Sequence, residues 1–290
     1  MSLENISDRY GGIWMWEKKN KNRTNTPVII SKEHEEYLKS IKREKQFIRI
    51  TQILIFVIFI VLWEWAAVNN HVDRFLTSTP SAIFDLIVRF VEDGSLFKHL
   101  YVSTTETIAG FFAGTIVGLF VAILLWWFER LAKITDPYIV ILNSLPKTAL
   151  APIIILWAGM GFSGIVVTAA SISVIVTTMT LYTGFISVEK DKIVLLKTLG
   201  ANKYQILKKV IIPANIPSIM SVIKVNIGLS WIGVIVGEFL VSKAGIGYLI
   251  LYGSQTFKLD LVMMGVFVLG LIAAIMYFFA SWLEKKVIKY

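Results

Sequence analysis

The chain contains no cysteine, which excludes disulfides, iron–sulfur clusters and thiolate zinc sites. Its three histidines, His34, His71 and His99, are too scattered to form a metal constellation, so neither a metal nor a cofactor is expected. Charge is also scarce. Of the 290 residues 17% are charged and 56% hydrophobic, and the mean hydropathy is +0.68, a balance that does not fit a water-soluble chain. No G-x-x-x-x-G-K-[ST] occurs, so the chain does not bind ATP through a P-loop, and any ATP hydrolysis belongs to another subunit. No apolar run lies close to Met1, so a cleaved secretory signal is not expected.

Long apolar runs are present instead. A bilayer is crossed by about 20 such residues, and six stretches qualify: 50–68, 103–128, 137–158, 164–187, 216–240 and 261–283. The alternative, amphipathic core helices of a soluble protein, would have to explain six such runs in one chain. Pro146, Lys147 and Pro152 interrupt the third run, and Lys224 and Glu238 the fifth; interrupted spans usually line something. Of the 29 Lys and Arg residues, 22 fall on 1–49, 129–136, 189–209 and 284–290, and five on 69–102 and 241–260. That bias puts both termini in the cytoplasm and assigns the net charge of +9 to membrane-flanking loops rather than to nucleic acid. The expected organisation is a cytoplasmic N-terminal extension, 1–49, followed by a transmembrane domain, 50–290. In the extension Lys18, Lys19, Lys21 and Arg23 accompany Trp14 and Trp16, which suits a lipid headgroup layer; a solvated, partly disordered tail fits as well.

Gly159-Met-Gly161-Phe-Ser-Gly164 matches G-x-G-x-x-G, but it lacks the preceding strand, the soluble helix and the later acid of a dinucleotide site, and reads as a tight turn between two spans. Gly110, Gly114 and Gly118 recur every four residues and share one helix face; Gly233 and Gly237 repeat the pattern. Both are expected to be helix-packing faces. Polar groups within the apolar runs include Asn143, Ser144, Lys147, Thr148, Ser173, Thr177, Asn226, Ser230 and Glu238. A charge at mid-bilayer costs roughly 2.5–3.5 kcal/mol on insertion scales, so these are candidates for a solute path, Lys147 and Glu238 above all. Glu64 and Glu106 lie near run ends and are expected to be solvated.

The loop 189–209, extended to 212 as a coupling segment, carries the most information. Ile193, Leu196 and Leu199 with Val194 and Leu195 make a short apolar helix. Gly200-Ala201-Asn202 supplies a turn, and Lys203 starts a second helix that Pro213 stops. A DNA-binding helix-turn-helix is the alternative, but the unit is short and tethered between two spans. An exposed apolar knob of this kind suits docking into a groove of a soluble partner.

The stretch LLKTLGANKYQILKKVIIPANIP at 195–217 resembles the cytoplasmic "EAA" loop of binding-protein-dependent ABC importer permeases, with Gly200 and Pro213 at its fixed points. Val194-Leu195-Leu196 stand where that family commonly has Glu-Ala-Ala, so no salt bridge from that glutamate is carried over. Thr79-Pro80-Ser81, Asp93-Gly94-Ser95-Leu96 with His99-Leu100, Gly110-Phe111, Asp136-Pro137 and LNSLPKTALAPIIILWAGMG at 142–161 look like its nitrate/sulfonate/taurine branch. The similarity covers about 70–287, with Glu106 where the branch tends to have arginine.

The resemblance implies an all-α membrane protein of six transmembrane helices with the type I ABC importer permease fold, in the plasma (inner) membrane. It implies two ABC ATPases on the cytoplasmic loops, a second permease chain, most simply a homodimer, and an extracytoplasmic binding protein that delivers the solute. Residues 193–203 become the ATPase-coupling helix, and spans three and five with polar residues of span four become the translocation path. The solute expected is a small anion such as a sulfonate, taurine or nitrate; a neutral vitamin precursor is the alternative within the branch. A secondary transporter should show inverted repeats, and a membrane-embedded enzyme paired catalytic carboxylates or histidine ligands; neither pattern is seen.

Overall fold

The computed structural model describes residues 32–69, 71–73 and 77–288. The tryptophans and basic residues of 14–23 lie outside the described residues. The chain divides into two units, one ending at Leu62 and the other running from Trp63 to Tyr290. Helix α1, Lys32–Val68, is continuous through residue 49. Between Lys39 and Leu62 it carries five basic residues and then an apolar run, Ile50 to Leu62, largely exposed on every side, as a single helix in lipid would be.

Within the second unit the elements are α2 Pro80–Glu92, α3 Ser95–Trp127, α4 Glu129–Ser144, α5 Ala151–Ala158, α6 Phe162–Ile186, α7 Lys190–Thr198, α8 Lys203–Ile206, α9 Ile216–Val241, α10 Ile246–Gln255 and α11 Leu259–Val287. No strand occurs among the described residues. Five helices are long and apolar enough to cross a membrane: Lys39–Val68, α3, α6, α9 and α11. The sixth expected span is a broken one. α4 and the segment Lys147–Ala158 meet at 88°, because Pro146 lacks an amide hydrogen and interrupts the helix.

α3, α6 and α9 form the centre, and the glycine stripes explain how. A Cβ on Gly110 would come within 2.6 Å of Ala169 Cβ, one on Gly118 within 2.5 Å of Thr177 Cβ, and one on Gly114 would overlap Ser173 Oγ. Three glycines at four-residue spacing on α3 thus mesh with Ala169, Ser173 and Thr177 at the same spacing on α6. Gly233 of α9 lies against Ala169, and Gly237 against Ile165, so α6 is clasped from two sides. Two apolar clusters close the bundle at opposite ends of α3. Ile83, Leu96, Ile246, Leu249, Leu261 and Met264 gather at its start, and Ala122, Leu181, Phe185, Ile206, Leu207, Ile211 and Val222 near its finish.

Candidate functional site

The loop between α6 and α9 is built by local hydrogen bonds that its sequence specifies. Gly200 ends α7 with φ +79°, a region that disfavours a Cβ. Its amide donates to Lys197 O (3.0 Å) while that of Ala201 donates to Leu196 O (2.9 Å), which is a Schellman motif. Asn202 then caps α8: its side chain accepts from Gln205 N (2.9 Å), and the Gln205 side chain accepts from Asn202 N (2.9 Å). Lys203 Nζ donates to Trp127 O (2.5 Å) and lies over the Trp126 and Trp127 rings, tying the loop to the end of α3.

Two expectations about this loop are corrected. Ile193 and Leu196 lie on the inner side of α7 rather than on its exposed knob, and Ala201 follows them in the turn. They turn inward onto the cluster of Phe185, Ile206 and Leu207, and the outward face is Val194, Leu195 and Leu199, 55, 61 and 74% exposed. Positions 193 and 196 are three apart and share a face, as do 195 and 199 four apart, so the helix period sorts them. Pro213 does not stop the helix either. A π turn, Leu207–Ile211, and three helical residues, Ile212–Ala214, carry the backbone past it, and the break falls at Asn215, whose amide group donates to Ile211 O (2.8 Å). A wider turn accommodates the proline ring and its missing N–H.

The expected path residues fall into two groups. Asn143, Ser144 and Thr148 are exposed at the bend between α4 and α5. Lys147, partly exposed beside them, donates to Asn143 O (2.9 Å) and Oδ1 (3.3 Å), so its ammonium caps the C-terminus of α4. Ser173, Thr177, Asn226, Ser230 and Glu238 are each fully buried within the chain. In this arrangement several bind other protein groups: Asn226 Nδ2 donates to Thr115 Oγ1 (2.9 Å) and Thr177 Oγ1 (2.8 Å), linking α9 to α3 and α6 at one level, and Ser173 bonds back to Ala169 O and Ala170 O of its own helix. Lys224 is paired with Glu284 of α11 at 2.9 Å.

The structure overturns the solvated reading of Glu106, whereas Glu64 remains partly exposed. Glu64 accepts from Ser81 N (3.0 Å) and Ser81 Oγ (2.8 Å), placing a carboxylate at the N-terminus of α2 beside the Thr79 cap. Glu106 is 4% exposed. The apolar run beginning at 103 put it near a span end, but α3 starts at Ser95, and Glu106 sits one turn before Gly110 on the buried stripe. Its neighbours His99 and Ser103 are site residues that sequence reasoning missed, although spacings of four and three align all of them with the glycine face. Outside the spans, Asp93 accepts from Ser95 N (2.8 Å), and hydrogen bonds from the Ser95 side chain and backbone hold its carboxyl below the usual value. Gly159 and Gly161, φ +96° and +95°, make the turn between α5 and α6, which is the expected structural role of that glycine motif.

Fold and site together define a polytopic helical membrane protein that displays an apolar knob between two of its spans. The profile of the family described as binding-protein-dependent transport system inner membrane component matches residues 114–289, and the chain belongs to that family of ABC importer permeases. It is 26% identical over 238 residues to a putative aliphatic sulfonates transport permease of Bacillus subtilis, covering 82% of this chain and 86% of the relative. To the taurine transport system permease of Escherichia coli it is 23% identical, covering 74% and 80%. A formylaminopyrimidine transport permease of Halalkalibacterium halodurans is 27% identical, with 67% and 77% covered. A crystal structure of a bacterial ABC transporter involved in the import of the acidic polysaccharide alginate superposes with a TM-score of 0.62 over 88% of this chain and 100% of that one, at 12% identity. That likeness supports the type I importer permease fold.

Proposed function

We propose that the chain forms the translocation path of an ATP-driven importer for a small solute handed over by an extracytoplasmic binding protein. It sits in the plasma (inner) membrane with both termini cytoplasmic, beside a second copy of itself, and two ABC ATPases bind its 189–212 loops. The observation that carries this reading is the outward Val194, Leu195 and Leu199 face of α7, held on a Schellman turn and a capping box between two spans. So large an apolar face on a short polar loop suits a groove in a soluble partner. Because Lys203 and the half-buried Ile193 and Leu196 join the loop to α3 and α6, a push on α7 reaches the central helices directly.

For the path, the exposed Asn143, Ser144 and Thr148 with Lys147 at the α4–α5 bend are the groups that a solute can reach in this arrangement. The buried Ser173, Thr177, Asn226, Ser230 and Glu238 become available only if α3, α6 and α9 separate during the cycle. A sulfonate, taurine or nitrate is favoured by the Lys147 ammonium and by the sulfonate and taurine relatives. A neutral vitamin precursor is the second reading, favoured by the engagement of Lys147 as a helix cap and by the formylaminopyrimidine relative. The test is uptake into liposomes containing this chain with and without its ATPase and binding protein. Uptake that needs ATP and both partners supports the proposal; uptake by the chain alone makes it a secondary transporter.

A further inference from the structure

Two carboxyl groups face each other inside the bundle. Glu238 of α9 is fully buried and Glu106 of α3 is 4% exposed, and Ser103, which shares the buried face of α3 with Glu106 three residues on, bonds to Glu238 and so brings the two carboxyls together. Glu238 is surrounded by donors: Oε1 accepts from Ser103 Oγ (2.5 Å), and Oε2 from Gly247 N (2.5 Å) and Tyr248 N (3.4 Å). It is therefore held as the acceptor, an anion at the N-terminus of the ten-residue helix α10. The remaining amides there are also engaged, Ile246 N by Ser103 Oγ (2.7 Å) and Gly245 N by His99 Nδ1 (2.9 Å). Glu106 has no such donors, and its buried Oε2 is without a partner.

Two ionised carboxylates cannot hydrogen-bond to each other, and the donors that stabilise one anion on Glu238 leave a second one on Glu106 uncompensated in a buried site. The charged and titratable neighbours are His99 and, beyond it, Lys98 on α3, and Tyr248 on α10. α6, packed on the other side of Gly237, contains no Asp, Glu, Lys, Arg or His. α2 and α11 meet α10 through Ile83, Leu261 and Met264. None of these supplies a cation to the pair.

We propose that Glu106 and Glu238 bind a single shared proton, and that this proton keeps the N-terminus of α10 docked on α3 and α9. Glu106 is the acid that donates and Glu238 the carboxylate that receives. When the proton leaves to water, two carboxylates remain face to face, and the contact between Glu106 and the Glu238–α10 cap opens.

The absence of native cysteine makes the test direct. Leu249, on α10 and 5% exposed, is replaced by cysteine to report undocking, and exposed Gln255→Cys gives the reference rate. Taking their ratio removes the effect of pH on thiol chemistry. In the otherwise unchanged full-length chain, relative labelling of L249C should rise with pH by up to about tenfold per unit, the slope of one released proton. Glu106→Gln keeps a donor without a removable proton and should flatten the profile; Glu106→Arg, with a fixed charge partner, should flatten it too and stands in if the glutamine variant misfolds. Infrared spectra of the parent chain should show a protonated-carboxyl band that E106Q lacks. The proposal is overturned by a flat profile in the parent chain, by the same rise in all three proteins, or by labelling that follows sodium concentration at constant pH, which would make the pair a cation site.

Discussion

Gly114→Ala puts a methyl group where α3 and α6 are in closest contact. The new Cβ would overlap Ser173 Oγ and stand 3.1 Å from Ala170 O, and a backbone carbonyl in the middle of a helix cannot move aside. Overpacking of this kind costs about 1–3 kcal/mol, while replacing a helical glycine by alanine returns up to about 1 kcal/mol of helix propensity. The net expectation is a loss of about 1–2 kcal/mol, roughly a five- to thirtyfold fall in the folded-to-unfolded ratio. Gly270→Ala in α11 is the control, because a Cβ there meets nothing within 4 Å and only the propensity gain remains. Ser173→Gly in the G114A background should recover part of the loss, since it removes the atom that is struck first. The assay is denaturant unfolding of the purified chain in mild detergent, followed by circular dichroism. Equal stability of G114A and G270A, or no rescue by Ser173→Gly, would refute the meshed-stripe account of the central helices.

Asn226→Ala removes two hydrogen bonds that join α9 to α3 and α6 and should cost about 1 kcal/mol in the same assay, in the range measured for interhelical bonds in membranes. Lys224→Met strands the Glu284 carboxylate and should destabilise more than the double variant Lys224→Met/Glu284→Leu, which removes both charges. Lys147→Gln should weaken ATP-dependent uptake of an anionic solute by a larger factor than that of a neutral one; equal losses would assign Lys147 to capping α4 alone.

Much of the architecture was legible because apolar runs of bilayer length and glycines at four-residue spacing each have one physical use. Gly110, Gly114 and Gly118 pointed to a close helix contact, and their partners Ala169, Ser173 and Thr177 show the complementary spacing. Pro146 announced a break in the third span, although not that the chain would turn through 88°. The errors came from treating hydropathy as position. An apolar run that starts at 103 suggests a span end near Glu106, whereas α3 begins two turns earlier, at Ser95, in sequence interrupted by Lys98 and His99. Apolarity alone groups Ile193 and Leu196 with Leu199, but the helix period divides them between an inner and an outer face. Pro213 reads as a stop in sequence because a π turn leaves no mark in composition.

The central claim is that the outer face of α7 transmits the action of an ATPase, and charge placed on that face tests it most directly. Leu199 is 74% exposed on α7's C-terminal turn, so Leu199→Asp should leave insertion and stability unchanged while abolishing co-purification of the ATPase and its activity in the eluate. Ile193→Asp, on the inner face, should instead destabilise the chain itself. A Leu199→Asp chain that retains its ATPase and still imports solute at the parent rate would contradict the account.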